Sequence, residues 1–254
     1  MKTLSAVIIL VVVIILVFLI YIKRIKSYPS RKPPKIAILI ISAKSSRWNL
    51  EREVWKHYSG KFSNIQCFFI ECNIIEKLQT LSLGCKENYI PGIYQKSLQA
   101  LKRVGDDFDF YVRGNLSTFY IFDYLNSYLG TLPQNIPIYT GGKIWKNSFV
   151  SGTSIVFNRL ARNVLIKHGF EKKYYDNNSV PDDVLISQVL RDHGVNIFGS
   201  NNKSYLYFWD YKGSYNYNLI KIKTHKNPFL RLKTSNLHEY QSISKKLLVE
   251  FYSS

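Results

Sequence analysis

Asp182 and Asp183 follow Pro181 directly in "VPDDVLISQVLRDHGVNIF", where a helical apolar periodicity begins. Two chemistries suit that place. Carboxylates in the first turn of a helix satisfy orphan N–H groups and oppose the helix dipole. A single positioned aspartate also suffices as a general base, if the proton it removes lies within hydrogen-bond reach. The residues alone leave both readings open. A second polar group, Arg113, Asn115 and Ser117, lies in "FYVRGNLSTFYIFDYL". It ends an apolar run and precedes an amphipathic one, the pattern of a strand that delivers polar residues to a site before a helix begins. Between Arg113 and Ser117 there is no carboxylate. The arginine fork suits a phosphate, whereas neutral Asn and Ser are weak ligands for a hard cation.

The segments around these residues alternate in period. "KIAILIIS", from Lys35 to Ser42, is a β-branched apolar run, as expected of a strand buried on both faces of a parallel sheet. "SSRWNLEREVWKHY" predicts a helix capped by Ser45 or Ser46, with Trp48, Leu50, Val54 and Trp55 as its apolar stripe. "IQCFFIEC" predicts a second strand. "IPGIYQKSLQALKRV" predicts a helix from Ile90 to Val104, with Pro91 near its start and Leu98 and Leu101 inward. "FDFYV" is the next strand and "FYIFDYLNSYL" the helix after it; "SIVF" leads into a helix from about Arg159, and "PDDVLISQVLRDHG" into an edge-like strand, "VNIF". This order predicts one α/β, Rossmann-like domain whose ligand site lies at the carboxyl ends of its strands. No internal repeat or second domain is visible, and the Tyr-, Lys- and Asn-rich tail beyond Ser200 shows no clear pattern.

The chain has 254 residues, 46% of them hydrophobic, so a sizeable core is expected. Its 35 basic against 17 acidic residues give a net charge of +18, which attracts polyanions, anionic lipid or phosphorylated ligands without choosing among them. No zinc-finger spacing, RNA-recognition signature or basic region with heptads is present, so no specific nucleic-acid partner is expected, and a membrane-tethered nucleic-acid recruiter is the weakest reading. Cys67, Cys72 and Cys85 have no paired spacing and read as small core residues. The five histidines show no H-E-x-x-H pattern, so no dedicated histidine metal site is expected.

Residues Leu4 to Ile22 are almost wholly apolar and long enough to cross a bilayer, and no small-residue cleavage site follows. A single-pass anchor (1–22), a basic Pro-containing tether (23–34) and a domain from residue 35 to 254 are therefore expected. Lys23, Arg24, Lys26, Arg31 and Lys32 after the span favour a cytosolic domain by the positive-inside rule. Acceptor-like triplets at Asn115, Asn177 and Asn202 would matter only on the lumenal side. The side of the membrane stays open.

Four blocks, in order, carry a resemblance. "LEREVW", "ENYIPGIYQKSLQAL", "VSGTSIVFNR" and "PDDVLISQVLRDHGV" resemble blocks of the β-1,3-galactosyltransferase and Fringe glycosyltransferases, across roughly residues 35 to 200. The resemblance implies a GT-A type domain, a nucleotide-sugar donor, a glycan or glycoprotein acceptor and inverting transfer of a hexose-type sugar. It nominates Asp183 as the base, with Asp182 beside it, Arg52 and Lys96 as residues that steady the donor, and Ser151 and Gly152 as the lining of the sugar pocket. In that family the strand matching "YVRGNLSTFY" ends in an acidic triplet that holds a divalent ion such as manganese. Here Arg113 and Gly114 replace Lys and Thr, and Asn115, Leu116 and Ser117 replace the three aspartates, so the metal ligands are missing. Two outcomes remain: a transferase that meets the diphosphate with cationic side chains, or an inactive glycan- or phosphate-binding relative on the same fold. The Lys-, Asn-, Ile- and Tyr-rich composition suits an AT-rich genome such as that of a large DNA virus.

Overall fold

The structure is a computed structural model, and it describes residues 32–43, 48–72, 80–85, 87–199, 208–210, 215–232 and 236–253. The apolar span 4–22, positions 23–31 of the tether, Ser45, Ser46 and Asn202 lie outside the described residues. Among the described residues no helix is long and apolar enough to cross a membrane. The chain divides into two units, Met1–Pro33 and Pro34–Ser254, and all the described helices and strands lie in the second.

The centre of this second unit is β1 (Ile36–Ile41), buried along all but its last residue. Side chains alternate across a strand, so Ile36, Ile38 and Ile40 join one core and Ala37 and Leu39 the other. The first core lies under α1 (Asn49–Tyr58), α3 (Phe122–Thr131) and α8 (Leu237–Tyr252), which contribute Trp55, Tyr58, Phe122, Leu125, Ile243 and Tyr252, and α7 (Tyr215–His225) adds Ile222. Tyr252 Oη closes it, accepting the Phe122 N–H at 2.9 Å and donating to the Tyr120 carbonyl at 2.6 Å. The second core lies under α2 (Gly92–Val104), α4 (Arg159–His168) and α6 (Asp182–Asp192), with Leu98, Leu101, Leu165, Leu185 and Leu190. Each fully buried side chain of this kind contributes about 1.5–3 kcal/mol relative to exposure.

The main sheet has the order β3 (Thr80–Leu83), β2 (Ile65–Cys72), β1, β4 (Phe110–Asn115), β9 (Ser154–Asn158), β6 (Tyr139–Gly141). The first four strands are parallel, whereas β9 runs antiparallel to β4 and β6 antiparallel to β9. The α/β expectation holds, with a mixed sheet. The reversal matters for position: the chain enters β9 from the hairpin β7 (Ile144–Trp145) and β8 (Phe149–Val150), so the 151–153 turn lies beside the carboxyl end of β4, where Ser154 pairs with Gly114.

Three local expectations are corrected. The helix after β4 starts at Phe122, not Phe119, because β5 (Thr118–Tyr120) first pairs with β11 (Phe229–Arg231), itself beside β10 (Phe208–Asp210). "VNIF" makes one parallel bridge, Ile197 to Tyr139, instead of a strand. Cys72 and Cys85 are not simple core residues but form a disulfide; only Cys67 stays free and buried. The parallel register pairs Cys72 with Leu83, so Cys85, two residues on, arrives beside Cys72. Pro91, in a cis peptide with Ile90, is the residue before α2.

Candidate active site

Arg113 lies on β4, between β1 and β9, and is 2% exposed. A charge so buried is costly unless paired. Its Nη2 lies 2.7 Å from Asp182 Oδ2, and its Nη1 donates to Asn115 Oδ1 at 3.1 Å. Asp182 is the first residue of α6. Burial pushes its carboxyl above the usual carboxylate range; Arg113 pulls it back and the neighbouring Asp183 pushes with the burial. Gly152 faces the guanidinium so closely that a Cβ there would meet Arg113 Nη1 at 2.6 Å. Gly114 is held to glycine in the same way by Tyr120 Oη.

The Gly152 N–H donates to Asp183 Oδ2 at 3.0 Å, and Asp183 Oδ1 accepts the Val184 N–H at 3.0 Å. The N-cap of α6 is Pro181, and no side chain caps it. Asp183 therefore bonds one N–H of the first turn while its other oxygen reaches across to the β8–β9 turn. Ser151 stands next to Gly152, its N–H donating to the Lys143 carbonyl at 2.8 Å and its Oγ accepting from Thr153 Oγ1 at 3.2 Å. The middle of α6 is latched to the same hairpin by Ser187 Oγ, which donates to the Ser148 carbonyl at 2.8 Å.

Arg52 and Lys96 stand in a neighbouring network at the carboxyl ends of β1 and β2. Arg52 pairs with Glu71 at 2.6 Å and also reaches the Ala43 carbonyl. Ser42 Oγ donates to Glu71 Oε1 at 2.6 Å. Lys96 Nζ, on α2, donates to the Ser42 carbonyl at 2.8 Å and to Glu87 at 2.7 Å, while Glu87 accepts the Cys72 N–H at 2.8 Å. Burial pushes the Lys96 ammonium below its ordinary range, against its hydrogen bond to Glu87, and the Arg113 charge pushes in the same direction as burial. Both cations are thus held by carboxylates of the chain itself, Glu71 and Glu87, which the sequence reading missed. Glu71 left a trace, as the one charged residue in an apolar strand, where burial demands a partner; Glu87 left none.

The structure therefore brings Arg113, Asn115, Gly152, Asp182 and Asp183 into one cluster, with Ser151 at its edge and Arg52 and Lys96 adjoining. Ser117 sits apart in the β4–β5 turn, its carbonyl accepting the Leu232 N–H at 2.9 Å. Leu116 is buried and its carbonyl accepts Trp55 Nε1–H at 2.9 Å. An amide, an alkyl chain and a hydroxyl beside a guanidinium do not fit a divalent cation, which prefers several anionic oxygens. A groove of about 470 Å³ opens at the other end of the strands, lined by Lys35, Asn64, Phe68, Arg103 and Phe108. It contains none of the nominated residues, and open α/β sheets bind at the carboxyl ends of their strands.

No family model and no curated protein matches the chain. Solved structures do. The catalytic domain of Drosophila β1,4-galactosyltransferase 7, in complex with xylobiose, is similar at 12% identity over 84% of this chain and 79% of that one, with a TM-score of 0.44. The apo form of the glycosyltransferase GlyE from Streptococcus pneumoniae TIGR4 is similar at 11% identity, over 86% of this chain and 63% of that one, with a TM-score of 0.45. A further GlyE structure is similar at 12% identity, over 87% and 64% of the two chains, again with a TM-score of 0.45. At such identity and fit the likeness transfers no residue roles.

Proposed function

We propose that this chain is a membrane-anchored glycosyltransferase, moving a hexose-type sugar from a nucleotide-sugar donor to a hydroxyl of a glycan or glycoprotein with inversion. The observation that carries this reading is Asp183, a half-buried carboxylate fixed by the Gly152 N–H at the carboxyl end of β4. Ordered sequence blocks that resemble one inverting family supply its residues. In this reading Asp183 takes the proton of the acceptor hydroxyl as that oxygen attacks the anomeric carbon; the bond from that carbon to the diphosphate oxygen breaks, and the nucleotide diphosphate leaves. Its charge must be met by fixed cations. Arg113, Arg52 and Lys96 are each balanced by a carboxylate in the free protein. The diphosphate would draw Arg113 from Asp182, whose carboxyl burial already favours in its protonated form.

A second reading, a noncatalytic glycan- or phosphate-binding protein on the same fold, is favoured by the neutralised Arg113 and by Asn115, Leu116 and Ser117 in place of acidic residues. A screen of nucleotide sugars for hydrolysis and transfer separates the two. Turnover supports the first, saturable binding without turnover supports the second, and neither binding nor turnover removes both.

The Cys72–Cys85 disulfide bears on orientation, since such bonds persist in oxidising compartments and are rare in the cytosol. We place the domain on the lumenal or extracellular side of an anchor at residues 4–22, against the bias of the flanking charges. Protease added to sealed microsomes should spare the domain, and its digestion there would reverse the assignment.

A further inference from the structure

His168 is the last residue of α4, Glu171 precedes α5 (Lys172–Tyr175), and His193 follows α6 directly. The ends of α4 and α6 are held by their shared packing through Leu165, Val189 and Leu190. Tyr94 Oη, donating to the Gly169 carbonyl at 3.0 Å, and Tyr174 Oη, donating to Asp192 at 2.6 Å, fix the turn between them. Residues 25 positions apart in sequence therefore meet on rigid supports, which is why no spacing motif announced them.

The two imidazoles are stacked, with centroids 3.6 Å apart and planes 19° apart. Glu171 Oε1 lies 2.9 Å from His168 Nδ1 and 3.8 Å from His193 Nε2, and one ligand atom from each residue lies within 4.8 Å of the others. The partner of His193 Nδ1 is the Val189 carbonyl, at 2.8 Å. A carbonyl only accepts, so Nδ1 carries a proton, which leaves Nε2 as the nitrogen that an ion would take. This outer hydrogen bond is the kind that orients metal-binding histidines. A tetrahedral ion with bonds of about 2.0–2.1 Å would set its ligand atoms roughly 3.3 Å apart; the carboxylate oxygen already lies 2.9 and 3.8 Å from the two ring nitrogens, before either ring turns to admit an ion.

We propose that His168, Glu171 and His193 form a binding site for a first-row divalent metal, with zinc best suited to two imidazoles and one carboxylate. An ion lies in the plane of each ring it bonds, so binding rotates one imidazole out of the stack, and the His168 proton moves to Nε2. Lys173, 3.3 Å from Glu171 Oε2, keeps the other carboxylate oxygen. Three protein ligands at a partly exposed site leave a fourth position for water. The site lies at the opposite end of the 11-residue α6 from Asp182 and Asp183, about 16 Å away. It would thus staple two helix ends and take no part in transfer, and it stands whatever the activity proves to be.

The test is titration of the chelator-stripped full chain, in detergent, with zinc chloride, followed by calorimetry and melting temperature. One saturable site, a raised melting temperature and, with cobalt, the visible bands of a four-coordinate ion are expected. His168→Ala and His193→Gln should each weaken binding at least about tenfold with the apo circular dichroism unchanged; if either variant unfolds, Glu171→Gln at its more exposed position reads the same loss. Absence of saturable binding up to ~100 μM zinc, an affinity of only about 5.5 kcal/mol, or binding that these variants leave unchanged, overturns the proposal.

Discussion

Replacing Arg113 by methionine tests the inner cluster most sharply. Methionine fills much of the volume of the arginine stem and removes only the charged head, so little cavity is left and the close contact with Gly152 is relieved. What remains is Asp182, its side chain 8% exposed, with its 2.7 Å counter-ion gone. Removing one partner of a buried pair costs about 3–5 kcal/mol, because the other charge is stranded. That cost depends on pH with a definite sign. Burial already raises the folded-state pKa of Asp182, and losing Arg113 raises it further. Above about pH 4, where an unfolded aspartate ionises, the folded state then holds the extra proton. Stability therefore falls as pH rises through the window up to the raised pKa and flattens beyond it. Urea unfolding at pH 5 and pH 7.5 should show the larger loss at the higher pH with an unchanged m-value, and adding Asp182→Asn should restore most of it. A loss below ~1 kcal/mol, small beside the expected cost of stranding a buried charge, an equal loss at both pH values, or strict additivity with Asp182→Asn would refute the reasoning.

Asp183→Asn should abolish turnover while shifting stability by no more than ~1 kcal/mol, the scale of one hydrogen bond; a large melting change with activity kept per folded molecule would mark Asp183 as a helix-end residue only. Gly152→Ala places a methyl against Arg113 Nη1, 2.6 Å from the ideal Cβ position, and should cost about 1–3 kcal/mol by overpacking, together with donor affinity; a silent variant would show that the turn gives way freely. Binding of a nucleoside diphosphate should be indifferent to manganese, because Asn115 and Ser117 cannot replace carboxylates, and strict manganese dependence in calorimetry would reveal a clamp elsewhere. If the diphosphate separates Arg113 from Asp182, binding near neutral pH should take up a proton, seen as a dependence of the apparent enthalpy on the ionisation enthalpy of the buffer; no such dependence would argue that the pair stays closed.

β1 was legible because a run of six apolar residues, buried on both faces, leaves one assignment. α2, α4 and α6 showed themselves by their helical period. α8 was missed, although Tyr240, Ile243 and Leu247 recur at helical spacing and Asn236 caps the helix through the His238 and Glu239 N–H groups; the surrounding polar residues masked the stripe. The disulfide could not be read, since a separation of 13 is no motif and only the register of β2 with β3 brings the sulfurs together. In the site, resemblance placed Asp183 and Gly152, but no local signal shows that Arg113 turns inward to Asp182, a partner 69 positions away, or that Lys96 belongs to Glu87. Such pairings arise from sheet order, which a sequence encodes only through contacts distant along the chain.

The bond from Tyr252 Oη to the Tyr120 carbonyl joins residues 132 positions apart. It also fixes an order of events during synthesis. Until residue 252 leaves the ribosome, the aromatic face formed by Tyr58, Phe119 and Phe122, which Tyr252 covers by ring contact, stays open to water and to other chains. A nascent domain in that condition is exposed to aggregation, and contacts of such long sequence separation form late. A chain stalled on the ribosome before α8 would carry its sheet strands with one core uncovered, the kind of surface that chaperones detain.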